Sequence, residues 1–337
     1  MIKKERGNEN LKDKIGIFLS ILMIMCLFVV TAERSGFAQV VVQKADMPTK
    51  RTIHASCVIN GIIYVFGGYP PIASVEAYDP STDKWTKKAD MYFARAGSAV
   101  CEVNGIAYAI GGWGNGQYLS SIEAYEPTTN TWTRKADMST PRGYLTASVV
   151  NGIIYAIGGY RSGPVGEVEA YNPSTNTWTK KADMPTPRYG LTSAVVNGLI
   201  YVIGGAIGSS GANPVDVLEI YDPSTDKWTK KTVPLYHSWG SACVIDNLIY
   251  LVEGAISYSM VYDPATDVWR QLTDKYTITD GNTCNVINRK IYVIGGWVNH
   301  GSDPSSSVYE YDFSKAPKHT KTENKLTTLW GSVKINN

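Results

Sequence analysis

The sequence predicts an all-β fold, a six-bladed β-propeller of four-stranded antiparallel blades, and three observations support this prediction. A diglycine recurs in five of six units, at 67–68, 111–112, 158–159, 204–205 and 295–296, and Glu253-Gly254 takes the remaining slot. The steps between these positions are 44, 47, 46, 49 and 42 residues, and a period near 45 is typical of propeller blades. Each of the first five units also carries four strand signals, and residues 40–44 provide an outer strand that lacks a blade.

The third unit shows how the residues specify the strands. An alternating stretch at 146–150 leads to Asn151-Gly152, which is a strong hairpin signal, and an apolar stretch at 153–157 ends on the diglycine. Residues 168–171 and 178–181 give the third and fourth strand signals, and a turn containing proline and asparagine joins them. Two glycines at the end of a strand permit positive φ or a close approach of two backbones.

Tyrosine and tryptophan keep a fixed spacing in five of the six units. The tryptophan stands seven residues after the tyrosine in the pairs Tyr78 and Trp85, Tyr125 and Trp132, Tyr171 and Trp178, Tyr221 and Trp228, and Tyr262 and Trp269. This pattern of diglycine, tyrosine and tryptophan resembles the kelch repeat over nearly all of residues 39–312. The resemblance implies a propeller in which the first strand of each blade lines a central channel. It implies no single function, because kelch propellers serve as scaffolds, ligand-binding domains and occasional enzymes.

Residues 1–38 predict an export signal. Four lysines precede an uncharged run at 15–30, whose sixteen residues suit the apolar part of a signal peptide and are short for a spanning helix. Small residues at Gly36 and Ala38 predict cleavage before Gln39 and therefore an exported protein, periplasmic, on the cell surface or extracellular. The alternative is an uncleaved membrane anchor, and only in that case would the chain meet a membrane.

The charge balance of the predicted propeller argues against a nucleic-acid partner. The whole chain carries a formal charge of +2, and residues 1–38 hold six basic and four acidic residues, which leaves the remainder neutral. A neutral body lacks the basic surface with which proteins bind phosphate backbones.

The sixth unit, the last of the repeat 39–312, lacks an outer strand of its own, because Lys318 stands where the tryptophan is expected. We expect the strand at 40–44 to enter this blade, close the ring and remove an exposed sheet edge. The alternative is that residues 329–333 take that place. The tail 313–337 holds five lysines and one glutamate, which predicts a solvated basic extension or, in its last part, a docking peptide.

Four arginines and four glutamates recur at fixed places in units one to four. The arginines lie sixteen residues before the diglycine and are Arg51, Arg95, Arg142 and Arg188. The glutamates lie two residues before the tyrosine and are Glu76, Glu123, Glu169 and Glu219. Units five and six lose both charges together, and removing one partner alone would leave a buried charge uncompensated. The sequence therefore predicts structural Arg–Glu pairs, within or between blades.

The four cysteines after the signal are predicted to be free, buried thiols. Cys57, Cys101 and Cys243 stand three residues before the hairpin, where other units carry Ser148 and Ala194, so the slot favours a small side chain. Equivalent positions of different blades should exceed the limit of about 7 Å between Cα atoms for a disulfide. We expect the same free state for Cys284.

Two kinds of residue are candidates for function. Glu253 and His237 replace a repeated glycine and a repeated arginine in unit five, which indicates either drift or an acid/base pair that binds a ligand or moves a proton. Aromatic side chains suited to stacking on a sugar or anchoring a peptide, with polar neighbours in the loops, form the second group. Its members are Tyr69, Trp113, Tyr160, Arg161, Trp239, Trp297 and His300.

These features favour a non-catalytic, exported and monomeric binding module for a protein or extracellular glycan. The histidines show no metal spacing, and the chain carries no phosphate loop or dinucleotide fingerprint, so we expect no metal and no cofactor. The alternative is a sugar-modifying enzyme similar to the kelch mutarotases that interconvert sialic-acid anomers, in which Glu253 and His237 would be the acid and base.

Overall fold

The computed structural model describes residues 40–208, 213–252, 259–272, 280–298 and 303–313, apart from the side chains of residues 40, 232 and 234–237. The described residues form an all-β structure of six four-stranded antiparallel sheets arranged as a propeller, so the predicted fold class is confirmed. No helix among them has the length and apolar character needed to cross a membrane.

The strands follow the chain blade by blade, after the first strand β1 (Val40–Gln43). Blade 1 consists of β2 (Ala55–Ile59), β3 (Ile62–Phe66), β4 (Val75–Asp79) and β5 (Lys84–Lys88). Blade 2 consists of β6 (Ala99–Val103), β7 (Ile106–Ile110), β10 (Ile122–Glu126) and β11 (Thr131–Arg134), with the small hairpin β8 (Trp113–Gly114) and β9 (Gln117–Tyr118) in its loop. Blade 3 consists of β12 (Thr146–Val150), β13 (Ile153–Ile157), β14 (Val168–Asn172) and β15 (Thr177–Lys181).

The second half repeats the arrangement. Blade 4 consists of β16 (Thr192–Val196), β17 (Leu199–Ile203), β18 (Val215–Asp222) and β19 (Lys227–His237). Blade 5 consists of β20 (Ser241–Ile245), β21 (Leu248–Val252), β22 (Met260–Asp263) and β23 (Val268–Gln271). Blade 6 contains β24 (Thr283–Ile287), β25 (Lys290–Ile294) and β28 (Val308–Asp312), with the small hairpin β26 (Trp297–Val298) and β27 (Asp303–Pro304) in its loop.

The N-terminal strand closes the ring, as the sequence predicts. Strand β1 runs antiparallel to β28, with Val40 opposite Asp312 and Gln43 opposite Tyr309, and takes the outermost place in blade 6. The chain continues along the same blade, because Lys44 N donates to Val308 O at 2.9 Å. The first and last parts of the propeller are therefore held in one sheet, and the edge of β28 is covered. The alternative closing segment, 329–333, lies outside the described residues.

The tyrosine and the tryptophan keep a fixed spacing because they lie opposite each other across the outer hairpin in blades 1 to 5. Tyr125 lies directly opposite Trp132, and their ring centroids are 5.1 Å apart. The Trp132 indole nitrogen also donates to Ala89 O of blade 1 at 2.9 Å, and Trp85, Trp178 and Trp228 make the equivalent bond to the preceding blade. These four tryptophans thus join neighbouring blades where the space between them widens.

Each of the four repeated arginines forms an ion pair with the glutamate of its own blade. The pairs are Arg51 with Glu76 at 2.9 Å, Arg142 with Glu169 at 2.5 Å, Arg95 with Glu123, and Arg188 with Glu219. All four arginine side chains are fully buried. Arg51, Arg95 and Arg188 also donate to the carbonyl of the first glycine of the diglycine, for instance Arg95 to Gly111 O at 2.8 Å. The pairs thereby fix the strand ends on the face from which the chain enters each inner strand, which we call the entry face.

The cysteine side chains are free thiols in this structure. Cys57, Cys101 and Cys243 are buried, whereas Cys284 is only half-buried. Cys284 differs because it occupies the second position of its strand, and the other three occupy the third position of theirs. The expectation of a buried thiol is therefore wrong for Cys284, whose position in its strand is different.

Candidate functional site

Six residues form a closed ring of backbone hydrogen bonds around the propeller axis on the entry face. Each stands two residues before the inner strand of its blade, and together they are Ile53, Gly97, Tyr144, Gly190, Trp239 and Gly281. The N–H of each residue donates to the carbonyl of the equivalent residue in the preceding blade, at 2.6 to 3.0 Å. This central ring joins all six blades at the mouth of the channel.

All six ring residues have left-handed backbone, and their side chains alternate between large and absent. The three glycines have φ between 60° and 69°, which glycine adopts without strain. The three large residues, Ile53, Tyr144 and Trp239, have φ of 50°, 56° and 63°. A β-branched or bulky residue in this region is a strained outlier that costs about 1–3 kcal/mol, and such strain clusters at ligand sites.

The glycines make room for the large side chains that follow them. A Cβ added to Gly97 would lie 2.5 Å from the Tyr144 ring, and one added to Gly190 would lie 3.1 Å from the Trp239 indole. Each of these aromatic residues therefore lies over the glycine of the preceding blade. Glycine in all six blades would allow the ring of backbone hydrogen bonds to form. The large side chains are therefore not required to close the ring.

Five aromatic rings from four blades meet on one side of the channel mouth. This aromatic platform consists of Tyr118, Tyr144, Tyr160, Tyr189 and Trp239. The ring centroids of Tyr160 and Tyr189 are 4.9 Å apart, those of Tyr144 and Trp239 are 5.4 Å apart, and those of Tyr189 and Trp239 are 5.7 Å apart. Tyr118 joins the group through Tyr160 at 5.9 Å. Tyr189 is buried and contacts the rings of Tyr144, Tyr160 and Trp239, and these three rings and Tyr118 are half-buried.

A cavity of about 100 Å³ lies at the channel mouth beside the platform. It is lined by the central ring and by the next residue in each blade, which are His54, Ser98, Leu145, Leu191, Gly240 and Asn282. None of these twelve residues carries a carboxylate, ammonium or guanidinium group. The lining therefore lacks these charged groups and combines aromatic and aliphatic side chains with neutral polar groups.

His54 adds no positive charge to this cavity at neutral pH. Burial and the nearby Arg51 charge lower the pKa of the His54 imidazole to about 3. Its Nε2 forms a hydrogen bond with Thr283 Oγ1 of blade 6 at 3.0 Å. His54 thus acts as a neutral link between the first and last blades rather than as a proton carrier near pH 7.

The structure brings some of the sequence candidates together and separates others. Tyr160 and Trp239 belong to the platform, while Tyr69 and Trp297 form a second aromatic pair with centroids 5.9 Å apart. Trp113 bonds through its backbone to Ala96, next to the central ring. Arg161 lies exposed and pairs with Glu167 at 2.5 Å, which places it in the loop rather than in the cavity lining.

The structure does not describe the side chains of Glu253 and His237, the candidate acid and base. Glu253 and His300 lie outside the described residues, and so does the His237 side chain. Among the described residues, no group of histidine, cysteine or carboxylate side chains has the geometry to hold a metal ion.

Sequence reasoning missed Tyr144, Tyr189 and Ile53, although a signal for two of them was present. The position fourteen residues before each diglycine slot is Ile, Gly, Tyr, Gly, Trp and Gly in blades 1 to 6. A large residue at a place where three blades carry glycine breaks the backbone rule of the repeat, and that break marks Ile53 and Tyr144. No such break in the repeat identifies Tyr189, because the aromatic residues that it contacts come close to it only in the folded propeller.

Comparison with known proteins identifies the repeat. A sequence profile described as the FKB95 kelch-repeats domain matches residues 90–282, more than half of the chain, and one described as the kelch motif matches 51–92 and 280–316. No curated protein matches the sequence significantly. Among solved structures, the chain is similar to one titled "Structure of YjhT", with a TM-score of 0.69 and 15% identity over 78% of this chain and 95% of that chain. At this identity the likeness shows the fold alone.

Proposed function

This chain belongs to the kelch-repeat propeller family, and from that premise we propose that it is an exported, non-catalytic binding module whose ligand docks on the aromatic platform. The strained, large residues of the central ring carry the proposal. Tyr144 and Trp239 occupy left-handed positions that glycine would fill without strain, and both point their rings into one cluster. A side chain kept at such a cost is expected to contact a ligand.

The lining favours a neutral saccharide over the other partner considered, a protein. Aromatic faces stack on the apolar C–H faces of sugar rings, and Tyr144, Ser98 and Asn282 of the lining supply neutral hydrogen-bonding groups. A charged sugar would meet no opposite charge in the cavity lining. A protein partner would instead insert an apolar or aromatic anchor at the same place.

Replacing Trp239 or Tyr144 with glycine tests the site directly. Glycine fits the left-handed backbone that these residues adopt, so backbone strain falls while the stacking surface is lost. We expect Trp239→Gly and Tyr144→Gly each to weaken saccharide binding at least tenfold, about 1.4 kcal/mol, and to change the melting temperature by only a few degrees. Binding is measured by isothermal titration calorimetry with the best neutral oligosaccharide from a glycan array.

Tyr92→Ala is the matched control for these variants. Tyr92 is an exposed tyrosine whose hydroxyl donates to Trp132 O on an outer strand, so its loss should leave saccharide affinity unchanged. Unchanged affinity in both glycine variants would contradict the docking site. A protein ligand whose binding requires Trp239, with no saccharide bound, would retain the site and overturn the saccharide class.

The enzyme alternative also takes a sugar as its ligand, an acidic one of the sialic-acid type, and it differs in turnover. It depends on Glu253 and His237, and no described contact supports their pairing. Conversion of the bound sugar, such as faster interconversion of its anomers, that is abolished by Glu253→Gln would replace the binding module with an enzyme.

Export is the part of the proposal that rests on residues 1–38. We expect the intact mass of the protein recovered outside the cytoplasm to correspond to a chain that begins at Gln39, one residue before β1. A mass that includes Met1 in a membrane fraction would instead indicate the uncleaved anchor.

A further inference from the structure

Two of the four described cysteines lie on adjacent inner strands of blades 5 and 6. Cys243 is the third residue of β20, and Cys284 is the second residue of β24. Both belong to one apolar cluster, in which Cys284 packs against a buried core that includes Cys243. The nearby Cys284 thiol also contributes to raising the pKa of the Cys243 thiol, after burial.

The same two positions are in contact at other blade interfaces. Between blades 3 and 4 the third residue of β12, Ser148, lies with its Oγ 2.9 Å from Ser193 Oγ at the second position of β16. Between blades 6 and 1 the third residue of β24, Asn285, donates to Ser56 Oγ at the second position of β2, at 2.8 Å. The contact is therefore a property of the repeat, and blades 5 and 6 place a cysteine on both sides of it.

We propose that Cys243 and Cys284 are a redox-active pair that a small-molecule disulfide oxidises to a cross-link between blades 5 and 6. A disulfide joins Cβ atoms about 3.5–4.5 Å apart, so side chains already in contact need little movement to form one. This inference goes beyond the binding function and does not depend on it.

The oxidation proceeds by two exchange steps. The Cys284 thiolate, on the half-exposed side chain, attacks one sulfur of the oxidant, forms a mixed disulfide and releases the first oxidant thiol. The Cys243 thiolate then attacks the Cys284 sulfur, forms the Cys243–Cys284 bond and releases the second oxidant thiol. Each cysteine loses one proton, the two released thiols take them up, and the two electrons pass to the oxidant.

Burial of the Cys243 thiol slows the second exchange step. The pKa of the Cys243 thiol is raised by burial and, to a smaller extent, by the neighbouring Cys284 thiol. Because the thiolate is the nucleophile, the fraction of reactive Cys243 is small at neutral pH and rises as the pH increases. The cross-link should therefore form slowly at pH 7 and several times faster at pH 9.

Cys57 and Cys101 provide an internal control. Both occupy the third position of their strands, and they pack beside Val100 and Ala147 at the second position of the following blade. The second-position side chain that packs beside each of them cannot form a disulfide. Oxidation should leave these two thiols free.

The experiment uses the whole purified chain incubated with oxidised or reduced glutathione. Peptide mapping without reduction should find the peptides of Cys243 and Cys284 linked, and the melting temperature of the oxidised protein should rise by several degrees. Cys243→Ala and Cys284→Ala should abolish both changes, and alanine is already present at these positions in other blades as Ala194 and Ala242. Cys57→Ala should retain both changes.

Three results would overturn the proposal. The first is glutathione bound to Cys284 with no link to Cys243 after long incubation at pH 9. The second is a link that involves Cys57 or Cys101. The third is a melting temperature that rises equally in the Cys284→Ala variant.

Discussion

Removal of residues 39–43 is expected to lower the melting temperature of the propeller by about 10 °C. The deletion takes away β1, whose four residues pair with β28 and complete blade 6. The loss of about four backbone hydrogen bonds, at about 1 kcal/mol each, accounts for a shift of this size in a large domain. The exposed edge of β28 should also promote association between chains. Thermal unfolding followed by circular dichroism, with light scattering for association, measures both effects.

The double substitution Val41→Thr with Val42→Thr is the control for this deletion. Both side chains are exposed, at 45% and 41%, so the change removes little buried surface while threonine keeps the preference for strand. We expect this variant to melt within about 2 °C of the unchanged protein. A deletion that melts like the control would mean that β1 does not hold the ring closed.

Breaking one buried ion pair is expected to cost about 3–5 kcal/mol of unfolding free energy. Arg95→Met leaves the Glu123 carboxylate buried without its guanidinium, and both side chains are fully buried in the protein. It also removes the donors that bind Gly111 O and Ser121 Oγ, which hold the diglycine turn. Equilibrium urea unfolding of the single variant measures this cost.

A double-mutant cycle separates the charge from the hydrogen bonds. Glu123→Gln keeps an oxygen that can accept from Tyr92 N, so we expect it to cost less than Arg95→Met. The double variant has no uncompensated charge and should recover at least about 1.5 kcal/mol relative to the sum of the single changes. Single effects that add to within about 0.5 kcal/mol would show that the two charges act independently. Arg134→Met, at a pair that is largely exposed, should change stability by less than about 1 kcal/mol.

Comparison of the repeat units predicted the Arg–Glu pairs but not whether each pair lies within one blade. Their joint absence from units five and six indicated pairing, because a single buried charge is costly. The comparison left open whether a pair lies within a blade or between two blades. The structure places each pair within one blade, where the segment entering the inner strand approaches the third strand of the same sheet.

The candidate site was less accessible to sequence reasoning. Tyr160 and Trp239 were recognised as aromatic residues at informative places, but nothing in the order of the chain relates them to Tyr118 or Tyr189. Their rings meet because closure of the propeller brings residues from blades 2 to 5 to one channel mouth. Tyr118 and Trp239, the first and last of the five platform residues, stand 121 positions apart along the chain.

The six-unit repeat, its four-stranded blades and closure by the N-terminal strand were determined by the sequence itself. Short-range residue patterns within each unit determine its strands and turns. The N-terminal strand lacks a blade and the sixth unit lacks an outer strand, so the two are expected to pair. The central ring, the aromatic platform and the contact between Cys243 and Cys284 were decided only by the tertiary structure. Contacts between blades depend on the angle and register at which whole sheets pack, and no single unit encodes them.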